Sequence, residues 1–391
     1  MAERTEPWLF YLTVATAVSL FIGIAVAQTL MAVTCLVWLV SRARPIRVPP
    51  FWKPLAALML LTVVSLVMSP DPSVGFPPFR KMVLIAPAFM AATFVTTDHR
   101  ARVALTAVSA AAALASVLGM AQFSIQYAEF LQTRELASDP TVLARITGMM
   151  GHWMTYSGQQ MLVWSALLPV VILRRPRWGW MPLALVGGSI VLSFTRGVWL
   201  GSMAGTLAAG YFVPKRQLAR LLVPVLLVAV AVSGLIVRRV QLSLEEGFTP
   251  DTSRLEMMAV GLSMMRDHPL VGVGPERVRV EFPGYYAGND LENFYSGHLH
   301  NNFLQLGAER GLPAVAAFVW FLAAVAWHLL GCVRNADVAV SSAAVAGFAA
   351  LAAFTVGGLF EYNFGDSEVL MLFFFIVATP HGLSRTVEGA A

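Results

Sequence analysis

The sequence predicts an all-α, polytopic integral membrane protein, on three grounds: its composition, the recurrence of long apolar runs, and the uneven placement of its basic residues. Hydrophobic residues make up 57% of the 391 and charged residues only 13%. That charged share is about half that of an ordinary soluble domain, so the chain lacks the polar surface to enclose a soluble core. Apolar runs of roughly 17–25 residues recur from end to end, each able to cross about 30 Å of hydrocarbon as a helix that satisfies its own backbone hydrogen bonds. Transmembrane strands would be shorter and would alternate in polarity.

The runs place spans near 9–25, 27–41, 54–69, 81–96, 103–122, 159–173, 178–194, 197–213, 219–237, 312–331, 340–360 and 367–383, about twelve in all. The first two are fused around Gly23 and Gln28, and the third and fourth are separated by a Pro-rich loop, PDPSVGFPP. Because apolar runs continue to the C-terminus, the first reads as a retained span rather than a cleaved signal peptide. With the N-terminus inside, the short inner segments collect fifteen Arg and Lys. The short outer ones hold five, Arg80, Lys81, Arg134, Arg145 and Arg196. This bias puts both termini in the cytoplasm. Three regions follow: 1–237, with spans one to nine and an outer loop at 123–158; 238–311, a large outer loop; and 312–391, with the last three spans. Most helix connections need only a few residues, so two outer loops of this length point to function.

The net charge of +5 is dispersed among loops and gives no nucleic-acid footprint. Cys35 and Cys332 lie in or beside apolar runs without metal-ligand spacing, which suggests packing. No convincing internal repeat appears. The spans are nearly free of charge, unlike transporters that carry ionisable residues at the midplane. His328, in AAVAWHLLGC, is the main candidate for such a role, and it falls toward the inner end of its span.

Chemistry-bearing residues cluster on the outer side. In TSRLEMMAVGLSMMRDHP, Ser253 and Glu256 form a capping-box pattern, followed by apolar Leu255, Met258, Leu262 and Met265. This predicts a helix lying on the outer membrane surface. Arg254 would fall in its first turn, where the helix dipole disfavours a cation. That points to a nearby anion, with pairing to Glu256 or solvent as the alternative. Arg196, in SFTRGVWLG, sits between two spans at the membrane boundary. It could reach lipid phosphates or clamp a substrate phosphate with its two-point fork. The densest constellation is SGHLHNNFLQLGAERGLP, where His298 and His300 precede a predicted short helix from about Asn302 to Glu309, capped by Asn301 or Asn302. A helix N-terminus disfavours a cationic imidazole, so an uncharged His300 could serve there as a base or hydrogen-bond acceptor. Free N–H groups at the same end favour an anion. The two histidines could also bind a metal, but no third ligand stands at recognisable spacing.

In HNNFLQLGAERG, His300, Asn301, nine residues and Gly311 resemble the His-[Asn/Ser/Gln]-x9-Gly signature of bacterial O-antigen ligases, within a wider ligase and polymerase superfamily. SFTRGVWLG, the Arg-bearing stretch before HPLVGVGPERV, and RITGMMGHWM fit the same pattern. The resemblance implies a fold similar to C-type glycosyltransferases, in the bacterial inner membrane with a periplasmic active site. It also implies transfer of an undecaprenyl pyrophosphate-linked glycan to lipid A-core oligosaccharide, with membrane lipids as surroundings, no cofactor and no metal. His300 would be the base, Arg196 and Arg254 would stabilise the departing pyrophosphate, and Asn301, His298, Arg266 and Arg145 would bind substrate. O-antigen polymerases and O-linked protein oligosaccharyltransferases are alternatives of related mechanism. A polyprenyl-glycan flippase is one of a different class.

Overall fold

The structure is a computed structural model that describes residues 2–43, 45–135, 139–140, 144–217, 250–286, 288 and 297–388, with positions 219, 230, 233, 234 and 237. The described residues form helices and no strand: α1 Ala2–Ser19, α2 Ile24–Ser41, α3 Trp52–Met68, α4 Pro72–Phe79, α5 Ala86–Phe94, α6 Asp98–Thr133, α7 Trp153–Arg174, α8 Trp180–Leu192, α9 Arg196–Phe212, α10 Pro250–Asp267, α11 Val278–Tyr285, α12 Asn302–Val333, α13 Val338–Gly357 and α14 Ser367–Glu388. Six of them, α2, α6, α7, α12, α13 and α14, are long and apolar enough to cross a membrane, and α3 and α8 are shorter apolar helices. The chain is therefore a polytopic helical membrane protein. Every predicted span falls on helix except 219–237, which lies almost wholly outside the described residues, as does 238–249.

Three expectations change. The Pro-rich stretch after α3 is helical, since Pro72 stands at the first position of α4, where a missing N–H costs nothing. The outer loop expected at 123–158 is shorter, because α6 runs 36 residues to Thr133 and α7 begins at Trp153. At 1.5 Å per residue α6 is about 54 Å long, so it outruns the hydrocarbon. Gln122, Gln126 and Glu129 end the apolar run, yet they are good helix formers. Finally, α10 already includes Pro250, so Ser253 and Glu256 lie inside the helix and Arg254 beyond its first turn. The expected apolar stripe is present, with Leu255, Met258 and Leu262 exposed. A second face, Met257, Val260 and Met264, is buried against Val278, Phe282 and Leu299. The helix therefore docks on the protein while presenting apolar side chains outward.

Helix α12 is broken at Gly311 (φ 80°), so a short helix from Asn302 precedes the membrane-crossing part. The break leaves carbonyls without intrahelical partners, and HPLVGVG supplies donors. Val273 N donates to Ala308 O at 2.8 Å and Gly274 N to Glu309 O at 3.0 Å. Ser65 of α3 donates its hydroxyl to the Glu309 and Val271 carbonyls. Gly272 (φ 67°) lies so close to the Glu309–Arg310 backbone that a Cβ would collide with it. The hydrogen bonds and the close approach together explain the glycine spacing of this motif.

Helix α13 is the buried centre, packed by α7, α9, α12 and α14. Gly201 and Gly205 bring α9 close to it, the small-residue device by which membrane helices approach one another. A Cβ on Gly201 would stand 2.9 Å from the Ala353 carbonyl and press on Met161. Gly201→Val should thus destabilise the purified protein by about 1–3 kcal/mol, read as a lower melting temperature in detergent. Gly331→Ala, where a Cβ meets nothing within 4 Å, should melt like the native chain.

Candidate active site

The site forms at one end of the bundle, where the segment 297–302 meets the turn 358–366 between α13 and α14. Asn301 caps α12: its side-chain oxygen accepts from Phe303 N at 2.8 Å and Leu304 N at 3.1 Å, and its amide donates to Leu359 O at 3.0 Å. Asn302 is buried; its backbone N donates to Gly358 O at 2.7 Å and its Oδ1 accepts from Phe364 N at 2.9 Å. Farther along the same helix, Gln305 accepts from Leu299 N at 2.8 Å and donates to Glu309 at 2.7 Å. Glu309, also buried, accepts from Glu276 N at 3.0 Å and pairs with Arg310 at 3.3 Å. The HNNFLQLGAER run is therefore a scaffold that holds the loop carrying His298 and His300.

Those histidines converge on Glu361, which sequence reasoning missed. His300 Nδ1 lies 2.9 Å from Glu361 Oε2 and His298 Nε2 3.5 Å from Oε1. Burial pushes the Glu361 carboxyl up, but the hydrogen bond and charge of His300 and the neighbouring His298 outweigh it, leaving the group below the usual carboxylate range. An ionised carboxylate only accepts hydrogen bonds, so the His300 Nδ1 that faces it carries a hydrogen. His298 is pushed down to about 4, chiefly by burial, so its ring is neutral at pH 7. Its Nδ1 accepts from His300 N at 3.3 Å, which puts its hydrogen on Nε2, toward Glu361. His300 itself adopts a positive φ of 48°, a strained conformation for a non-glycine residue that such a network can hold. No sequence spacing signals Glu361; the only hint is that FEYNFGD is a polar break between two apolar spans.

The remaining candidates sort by position. Arg254, Glu361, Asn363 and the start of α9 (Thr195, Gly197 and Val198) line one small cavity. Arg196 is exposed and opens α9, so it, rather than Arg254, is the cation set against a helix N-terminus. Arg145 lies with its guanidinium 5.4 Å from the centre of the Trp153 ring, beside His152, whose own environment includes Glu361 and His300. Arg266 is exposed, twelve residues after Arg254 on α10, which is roughly 18 Å along the helix. It is not brought to this cavity. Lys81 donates to Gly365 O at 3.0 Å and Thr155 to Asp366 at 2.5 Å, pinning the far side of the turn.

Residues 181–319 match the O-antigen ligase family. The matched stretch contains Arg196, Arg254, His298, His300 and Asn301 and ends before Glu361, so the family segment receives its carboxylate from outside itself. No curated protein matches the chain. Asn302→Ala should leave the Phe364 amide without its partner, a loss of about 1–3 kcal/mol. Amide exchange across 358–366 in the full chain should accelerate. Unchanged exchange would show that the clamp does not hold the turn.

Proposed function

We propose that this protein transfers a glycan from undecaprenyl pyrophosphate to a hydroxyl of lipid A-core oligosaccharide, on the periplasmic side of the bacterial inner membrane. The match of residues 181–319 to the O-antigen ligase family supports the reaction class and lipid-linked substrates. The observation that carries the reading at the residue level is the His300–Glu361 contact of 2.9 Å. A sugar hydroxyl is a poor nucleophile at neutral pH, and a positioned base contributes typically 10²–10⁴-fold. With Nδ1 donating to Glu361, His300 Nε2 takes the hydroxyl proton as the acceptor oxygen bonds to the anomeric carbon and the bond to the pyrophosphate breaks. The departing pyrophosphate needs charge stabilisation rather than a proton, and Arg196 and Arg254 provide it from two directions. His298 and Asn301 hold the loop, with Arg145 and Arg266 available to longer parts of the substrates. No metal is required in this scheme. Twelve crossings with both termini cytoplasmic, in a C-type glycosyltransferase arrangement, complete the reading; the basic bias of the inner segments supports that orientation.

The test is reconstitution of the purified protein with lipid-linked glycan and lipid A-core, without nucleotide, and inspection of the product by gel. A joined product supports ligation. Lengthened lipid-linked glycan would assign polymerisation instead, and movement of intact lipid-linked glycan between leaflets without joining would assign flipping. His300→Ala should lose about 10²–10⁴-fold in rate while still binding the donor. Glu361→Gln, which keeps shape but removes the charge that orients the ring, should lose on the order of 10–100-fold. A near-native rate for His300→Ala rejects it as the base. Lys at 196 or 254 keeps charge without the planar fork, so neither variant should restore activity. Full rates in both would reduce the two Arg to a general electrostatic role.

A further inference from the structure

The turn between α13 and α14 supplies what the sequence lacks, a third donor beside His298 and His300. One donor atom from each of His298, His300 and Glu361 lies within 4.8 Å of the others. The two measured separations, 2.9 and 3.5 Å to the two carboxylate oxygens, bracket the roughly 3.3 Å between ligands that tetrahedral Zn²⁺ imposes at bond lengths of about 2.0–2.1 Å. Two imidazoles and one carboxylate suit a borderline ion such as Zn²⁺ and do not suit Mg²⁺ or Ca²⁺, which prefer oxygen. The three residues are part-buried rather than sealed in the core. We propose that His298, His300 and Glu361 form a Zn²⁺ site whose occupation switches the protein off.

The switch follows from where the protons sit. An ion on His300 Nδ1 displaces the hydrogen that faces Glu361 onto Nε2, so the lone pair that accepts the substrate proton disappears. An ion on His298 Nε2 likewise sends that hydrogen to Nδ1, at the cost of the 3.3 Å hydrogen bond from His300 N. This cost keeps the ion exchangeable. The binding site stands on geometry alone; the inhibition rests on His300 acting as the base.

The two parts are separable in one series. Metal-stripped full-length protein in detergent is titrated with Co²⁺, a spectroscopic substitute for Zn²⁺, and its visible d–d absorption is followed. The expected result is one ion per chain, displaced by Zn²⁺, with the signal lost in both His298→Ala and Glu361→Gln. Signal unchanged in both overturns the site. So does signal lost only on His381→Ala, which would place the ion near His328, Cys332 and His381, where His328 lies 3.7 Å from the Cys332 sulfur. If the variants fail to fold, X-ray absorption of the Zn²⁺-loaded native chain decides: two imidazoles in the inner shell support the site, and a shell without them rejects it. Zn²⁺ should also abolish glycan transfer over the range in which it displaces Co²⁺, and a chelator should restore it. Binding at this site with undiminished transfer would overturn the switch and, with it, the assignment of His300 as base, while leaving the metal site intact.

Discussion

The structure depends on the fastening of three consecutive residues, His300, Asn301 and Asn302, to the turn between α13 and α14. The two asparagines make three directed hydrogen bonds to backbone groups of that turn, and the histidine beside them meets Glu361. The turn joins two membrane-level helices, whereas the histidine loop follows a long segment outside them. Such loops ordinarily wander relative to their scaffold, and catalytic groups tolerate little misplacement. The Asn pair removes that freedom by using the start of α12 as a rigid arm. The break at Gly311 lets this arm leave the direction of the membrane-crossing helix, and HPLVGVG braces the break.

Much of this was legible in the sequence and some of it was not, for physical reasons. Spans were readable because a helix in hydrocarbon needs a long apolar run, and the described helices fall where those runs lie. The extension of α6 was not, since Gln and Glu end an apolar run without ending a helix. The surface helix was visible from its stripe at 255, 258 and 262. Its inward face at 257, 260 and 264 could not be separated from that stripe by periodicity, because both sides are apolar. His300 announced itself by motif, and Asn301 by its capping chemistry. Glu361 did not: it stands 61 residues farther on, across two membrane helices, and only the folding of α12 against α13 brings it home. The same distance hid the third metal donor.

Electrostatics divide the molecule. At the end opposite the site, Arg100 pairs with Glu6 at 2.7 Å and Arg174 with Asp98 at 2.6 Å, so part of the basic bias there is tied into ion pairs. At the site end, the acids Glu361 and Asp366 come from one turn, while cations come from the start of α9, from α10 and from Lys81.

The most direct measurement is an experimental structure of the protein holding a non-reactive lipid pyrophosphate-linked sugar together with lipid A-core. The account predicts His300 Nδ1 still on Glu361 and Nε2 within about 2.6–3.2 Å of an acceptor hydroxyl. The guanidinium groups of Arg196 and Arg254 should lie on the pyrophosphate. A pyrophosphate bound away from both arginines, or a His300 ring turned from Glu361 with no hydroxyl in reach, would contradict it.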